Sequence, residues 1–233
     1  MDLKKTLLLV GLSSGLAHAD AHAAVESALT ASYGSEYIYR GANLGDDRVS
    51  LNLTASGEAA GLTWNAGLLH GSSDVAGAAI DETRMLLGVS KELTDSVSLN
   101  AGMMNTSFGL GADLREVYVG ASAQLGGVDL SATFFFNTND AIATDEYYEI
   151  SASYHYCMGD GLGATLAVAY GNWDEDPLGA NLEDVDATTI SLTLTKDLGD
   201  SLEGSLSVSH QIADETAITD DETTVGASVT FSF

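Results

Sequence analysis

Apolar residues recur at every second position through most of the chain. In "VSLNLTAS" Val49, Leu51, Leu53 and Ala55 share one face; in "TISLTLT" Ile190, Leu192 and Leu194 do, and "LEGSLSVSHQI" offers Leu202, Leu206, Val208 and Ile212. A period of two sends alternate side chains to opposite faces of an extended chain, so the pattern predicts strands. About twelve such segments follow one another: 27–41, 49–58, 62–71, 82–92, 97–108, 115–124, 128–137, 147–157, 164–173, 187–197, 202–212 and 223–233.

The connections alternate in length. "EAAG", "LTDS", "LGG", "MGDGLG" and "LGDS" are short; "ANLGDDR", "SSDVAGAAI", "GLGADL", "TNDAIATDE", "DEDPLGANLEDV" and "ADETAITDDE" are longer. Short turns at one end and long loops at the other describe an up-and-down meander, the arrangement by which outer-membrane barrels separate periplasmic turns from extracellular loops.

What fills the two faces separates a membrane barrel from a soluble sandwich. The solvated face of a sandwich usually carries Lys, Glu and Arg, whereas here the alternate positions are mostly Ser, Thr, Asn and Gly. Small polar residues suit a watered lumen and the apolar face suits lipid. The aromatics also sort by strand end. Tyr37, Tyr39, Phe134, Phe136, Tyr148 and Tyr170 are expected outward at the extracellular ends, and Trp64, Tyr154, Tyr156, Phe231 and Phe233 outward at the periplasmic ends. Two such girdles mark the two membrane interfaces. The reading is all-β: a transmembrane antiparallel barrel of about twelve strands spanning residues 24–233, with both ends in the periplasm.

The final segment "VGASVTFSF" alternates up to Phe233. It is expected to close the barrel against the first strand, and its terminal aromatic resembles the C-terminal signal read by the outer-membrane assembly machinery of Gram-negative bacteria. Phe231 and Phe233 are therefore assigned to assembly. A second stretch, Ser35-Glu36-Tyr37-Ile38-Tyr39-Arg40-Gly41, resembles the "S-x-Y-x-x-R-G" opening of the TorF-like (Gcw-chp) porin family of exported bacterial proteins. The resemblance covers about the first 40 residues after the leader and implies a barrel. Where that family has a Gly-x-Trp-x-Ser-like segment, this chain has Leu62-Thr63-Trp64-Asn65-Ala66-Gly67.

Composition narrows the function. Lys4 and Lys5, the apolar run Leu7–Leu16 and the small-x-small sites Ala17-His18-Ala19 and Ala21-His22-Ala23 read as an export signal within residues 1–23, cut after Ala19 or Ala23. The net charge is -26; cleavage after Ala19 removes two Lys and one Asp and leaves about -27. Eight Lys and Arg in 233 residues exclude the clustered cations that nonspecific nucleic-acid binding requires. Cys157 is the one cysteine, so no internal disulfide frames the fold.

Catalytic patterns fail on inspection. "GLSSG" lies in the leader; "GLGADL" and "GLGATL" lack the third glycine of a dinucleotide loop and precede strands. The loop from Asp174 carries Leu178 and Val185 where a calcium loop needs oxygen ligands. His70 and His210 are expected outward, and His155 inward without a carboxylate beside it on its strand, so a lipid-modifying enzyme ranks third. No cofactor is implied.

Charge in the wall is the remaining signal. Glu36, Arg40, Arg48, Arg84, Glu116 and Glu149 are expected inward near the extracellular end, lining a pore. If cations and carboxylates face each other across it, they orient polar solutes, and charged rings are a recognised route to selectivity. Alternatively Glu36, Glu116 and Arg40 or Arg84 pair and plug the lumen. The first arrangement makes a narrow channel for small polar or cationic solutes, set in outer-membrane lipids and lipopolysaccharide. The second makes a structural or surface-interaction barrel with acidic outer loops. Asp46, Asp47, Asp81, Glu82, Asp145, Glu146, Asp174, Glu175, Asp176, Asp220, Asp221 and Glu222 are assigned to those loops, a negative mouth that enriches cations.

Deleting Phe233, or replacing it by Lys, is expected to leave export intact and strongly impair barrel assembly. Surface yield and heat-modifiable gel mobility measure this, and normal values for both variants reject the role given to the terminal aromatic.

Overall fold

Strand alternation on both faces satisfies every second side chain but leaves each strand's N–H and C=O groups in need of neighbours. The chain meets that need by closing on itself. The computed structural model describes residues 25–75, 78–109, 113–139, 146–173, 185–213 and 221–233. They form β1 (Glu26–Tyr39), β2 (Ala42–Ala59), β3 (Leu62–Val75), β4 (Ala78–Thr94), β5 (Val97–Phe108), β6 (Asp113–Leu125), β7 (Val128–Asn137), β8 (Glu146–Gly159), β9 (Leu162–Trp173), β10 (Val185–Gly199), β11 (Leu202–Ala213) and β12 (Glu222–Ser232). Each strand pairs antiparallel with the next, and β12 pairs with β1 from Ala28↔Ser232 to Gly34↔Gly226. Phe233 finishes the seam, exchanging both backbone hydrogen bonds with Ser27 at 2.9 and 3.0 Å.

The two faces divide as the alternation predicts. Leu51, Leu87, Val119, Leu166, Leu192 and Leu206 are exposed on the outside, an apolar surface that only lipid can cover. Inside, hydroxyls of adjacent strands pair across the ladder: Thr30 with Thr230 at 2.9 Å, Ser32 with Ser50 at 2.7 Å, Ser98 with Ser122 at 2.6 Å, Ser131 with Ser151 at 2.7 Å and Ser205 with Ser228 at 2.7 Å. Such pairs give polar groups partners within the wall itself.

Tight turns gather at the end where the seam finishes. Ala60-Gly61 (φ 54° and 73°), Gly126-Gly127 (57° and 87°) and Asp160-Gly161 (52° and 71°) adopt the left-handed backbone that lets a two-residue loop follow the twist of its strands. At the other end two of the long connections are strand instead. "ANLGDDR" is the start of β2, and "SSDVAGAAI" is divided between the ends of β3 and β4. Polar composition suggested loops, but both stretches find ladder partners, and pairing overrides local preference. The expected leader and the loop acids Asp145, Asp174, Glu175, Asp176 and Asp220 lie outside the described residues.

Leu192, 43% exposed on the lipid face, and Ser191, 5% exposed and facing inward, supply a test of this partition. Leu192→Arg is expected to destabilise the folded barrel by about 2–4 kcal/mol and Ser191→Arg by far less, measured by urea unfolding in lipid vesicles. Equal losses contradict the assignment of faces.

Candidate functional site

The first hairpin leaves the wall. The β1–β12 ladder stops at Gly34↔Gly226, where the Ser35 hydroxyl takes the Val225 N–H at 3.1 Å, and the β2–β3 ladder begins only at Asp46↔Asp74. Between them, Glu36 pairs with Asp46, Ile38 with Asn43 and Tyr39 with Ala42. This tip ends in the two-residue turn Arg40-Gly41, with φ 51° and 93°. Its carbonyls are caught by distant strands: Trp173 Nε1 on β9 donates to Arg40 O at 2.8 Å, and Gln211 Nε2 on β11 donates to Gly41 O at 2.7 Å. The tip therefore folds across the mouth of the barrel.

The register shifts where two steps along β1, Glu36 to Ile38, face three along β2, Asn43 to Asp46, so the extra residue lies on β2 and bends the hairpin. The infolding of the tip corrects two aromatic assignments. Tyr37 and Tyr39, expected in the outer girdle, are instead buried inside at 4% and 6% exposure.

Three guanidiniums and three carboxylates meet around the tip. Arg40 reaches β6, five places round the ring from β1, and grips Glu116 with two bonds of 2.6 and 3.1 Å, the side chains 8% and 2% exposed. Its guanidinium lies 4.2 Å from the ring centre of Phe135, 4.3 Å from Tyr147, 5.0 Å from Trp173 and 5.2 Å from Tyr39. Glu82, with no exposed side-chain surface, accepts from Arg48 at 2.5 Å, from Arg84 at 2.6 Å and from the Tyr37 hydroxyl. Arg48 also lies 3.5 Å from the Tyr37 ring centre. Glu149 takes the Tyr147 hydroxyl at 3.2 Å. Charge balances charge, and aromatic faces cover the cations; removing such groups from water is tolerable only on those conditions.

Apolar packing seals the layer. Tyr37, Tyr39, Met104, Leu114, Tyr118, Phe135, Tyr147 and Trp173 form one buried cluster, with Leu44, Leu86 and Phe108 against it. Tyr147 and Trp173 approach to 4.8 Å between ring centres, and Tyr39 and Phe108 to 5.6 Å in an edge-on arrangement. Tyr118 lies flat along the wall over glycines: a Cβ on Gly88 would come within 2.2 Å of its hydroxyl, and one on Gly102 within 2.6 Å of its ring.

Of the residues expected inside, Arg40, Arg48, Arg84 and Glu116 are brought together and Glu149 adjoins them. Arg40 stands on the turn rather than on a strand. Glu36 lies apart, accepting from Asn43 at 3.2 Å while Asn43 also reaches Glu222 at 3.1 Å. Glu82 corrects the loop assignment, since β4 begins before it and carries its side chain into the lumen. The inward rings Tyr118, Phe135, Tyr147 and Trp173 escaped the sequence reading. Parity carried a signal for two of them: in Phe134-Phe135-Phe136 and Tyr147-Tyr148 adjacent rings must face opposite ways. Phe134, Tyr148 and Tyr170 form a row outside, 6.0 Å apart at each step. Tyr154, Tyr156, Phe136, Phe231 and Phe233 are exposed there too, and Trp64 lies over Gly57.

Comparison with known proteins rests on shape. The chain resembles an outer-membrane channel from Pseudomonas putida F1, with a TM-score of 0.62 at 13% identity over 92% of this chain and 97% of that one. It resembles the NanC porin at 0.63 and 12%, over 87% and 98%, and the KdgM porin at 0.55 and 10%, over 88% and 99%. The fold is that of an outer-membrane barrel. No family model and no curated protein matches the sequence, so the likeness of Ser35–Gly41 to the TorF-like opening stands on that motif alone.

Glu82→Gln is expected to cost about 3–5 kcal/mol, because among the described residues it is the one carboxylate paired with Arg48 and Arg84. Arg115→Gln, on an exposed side chain 4.0 Å from Asp113, is expected to change stability by about 0.5 kcal/mol or less. Urea unfolding of the two variants side by side measures the contrast; comparable losses show that the buried network does not hold the layer.

Proposed function

We propose that the barrel is a narrow outer-membrane channel for small polar, preferentially cationic solutes, closed at its outer end by the infolded tip of β1 and β2. The observation that carries this reading is the departure of the tip from the wall. A wall built only for strength would keep β1 and β2 paired to their neighbours along their full length. Here the mouth is blocked by a separable piece of chain, while the lumen beyond it is lined by paired serines and threonines. Small hydroxyls hold water without filling the bore.

The sign of the preference follows from charge. Asp46, Asp47, Asp74, Asp81, Glu146, Asp221 and Glu222 stand at the loop end, and withdrawal of Arg40 leaves Glu116 and Glu149 facing the path. Such a mouth concentrates cations, and the effect weakens with salt as the Debye length falls from about 10 Å at 0.1 M to about 3 Å at 1 M.

A second reading has its own support. The buried cluster and its balanced charges suit a permanently filled barrel that acts through its acidic outer surface. Glu36 and Asp46 face each other in the ladder, so residues 37–45 can be replaced by an Asn-Gly turn. In planar bilayers this variant is expected to show larger and more frequent current steps than the unmodified protein. Its reversal potential in a salt gradient should favour cations. Silence from the shortened barrel supports the filled reading instead.

A further inference from the structure

Arg40 is held as a bound solute would be. Apart from its neighbour Tyr39 on the tip, the groups around it belong to the wall: Glu116 on β6, Phe135 on β7, Tyr147 on β8, whose hydroxyl is held by Glu149, and Trp173 on β9. Arg40 itself sits on the turn of the infolded tip. The receiving half is thus fixed by ladder pairing on both sides, and the received half is carried on the one part of the first hairpin that the ladders to β12 and β3 do not hold.

The chemistry of the receiving half is selective. Two parallel N–H···O bonds from one guanidinium to Glu116 match a planar fork, which an ammonium does not have. Three ring faces at 4.2–5.0 Å complete the surround, and aromatic faces attract cations most where water is excluded. The turn would be better served by another residue. At a φ of 51° a Gly or Asn is favoured, and a long side chain in that conformation is strained. The fit of the side chain offsets the backbone.

We infer that Glu116, Glu149, Phe135, Tyr147 and Trp173 form a binding site for guanidinium-bearing solutes, which Arg40 occupies as a tethered stand-in. The inference rests on the channel reading and names the solute class for it. A free guanidinium compound competes with Arg40 for Glu116; when it wins, the tip loses its main anchor and the mouth opens. A side chain on a short tether has an effective concentration in the millimolar range, so solutes at about that concentration suffice to displace it.

Agmatine is the probe, with butylamine and 1,5-diaminopentane, a dication of similar length that carries no guanidinium and is expected to be equally silent, as ammonium controls. The chain has two tryptophans; in full-length Trp64→Phe barrels refolded into vesicles, emission reports Trp173 inside the site. Agmatine is expected to change that emission saturably, while butylamine and sodium chloride at equal ionic strength do not. Arg40→Gln should lower the half-saturating agmatine concentration by about tenfold or more, because the occupied fraction of the site is released. Adding Glu116→Gln should abolish the response. If Arg40→Gln does not assemble, the unmodified barrel decides by responding to agmatine and not to the ammonium controls. No saturable response, an equal response to either ammonium control, or indifference to Glu116→Gln overturns the site. Emission reads occupancy without current. A barrel that binds agmatine yet never conducts fails the channel reading alone, and one that conducts but ignores agmatine fails this inference alone.

Discussion

The hydrocarbon core of a membrane offers no partner to a backbone N–H or C=O, and every feature of this barrel depends on that constraint. Twelve strands can present apolar side chains to lipid only because each is paired on both sides and the seam between β1 and β12 is closed. The constraint also explains where it is relaxed. Residues 35–45 give up their wall partners at the one level where they can turn inward, and there protein groups replace the ladder: the Ser35 hydroxyl for Val225, and Trp173 and Gln211 for the turn carbonyls. Irregular backbone at a membrane protein's mouth survives when it is buried in protein.

Turning inward sets a second problem, electrostatic rather than conformational. The tip carries Arg40 and draws Arg48 and Arg84 into the same layer, three cations out of water. Glu82 and Glu116 pair with them at 2.5–2.6 Å, Glu149 accepts from the Tyr147 hydroxyl beside them, and rings fill the remaining surface. Removing Glu82 or Glu116 leaves the arginines that each one pairs with stranded, so the layer behaves as a unit. The same property makes it a candidate for switching. A solute that reproduces the Arg40 guanidinium keeps the balance while freeing the tip, whereas a plain anion or a neutral solute does not.

The barrel therefore has two zones of different character. Toward the turn end, hydroxyl pairs line the wall without crossing the bore. Toward the loop end, a close-packed layer crosses it. The KdgM and NanC porins share the barrel fold; the layer across the mouth is built from this chain's own first hairpin and the residues that receive it.

The alternation of apolar and small polar residues determined the strand count, the antiparallel order, the lipid-facing surface and the girdle at Phe134, Tyr148 and Tyr170. Each follows from local period and from the demand of lipid for closure. Charge at odd places in the pattern also pointed to Arg40, Arg48, Arg84 and Glu116 as inward residues. What the pattern could not carry is anything downstream of a bulge. The extra residue of β2 between Asn43 and Asp46 bends the first hairpin, the infolded tip takes Tyr37 and Tyr39 inside, and nothing in "SEYIYRG" marks it, because a bulge is fixed by which partners the two strands find. Glu82 was hidden for a related reason: a polar stretch reads as a loop until a neighbouring strand extends to pair with it. The meeting of Arg40 with Glu116, 76 residues apart, required the ring to close and the hairpin to fold across it, and only the tertiary structure decided that.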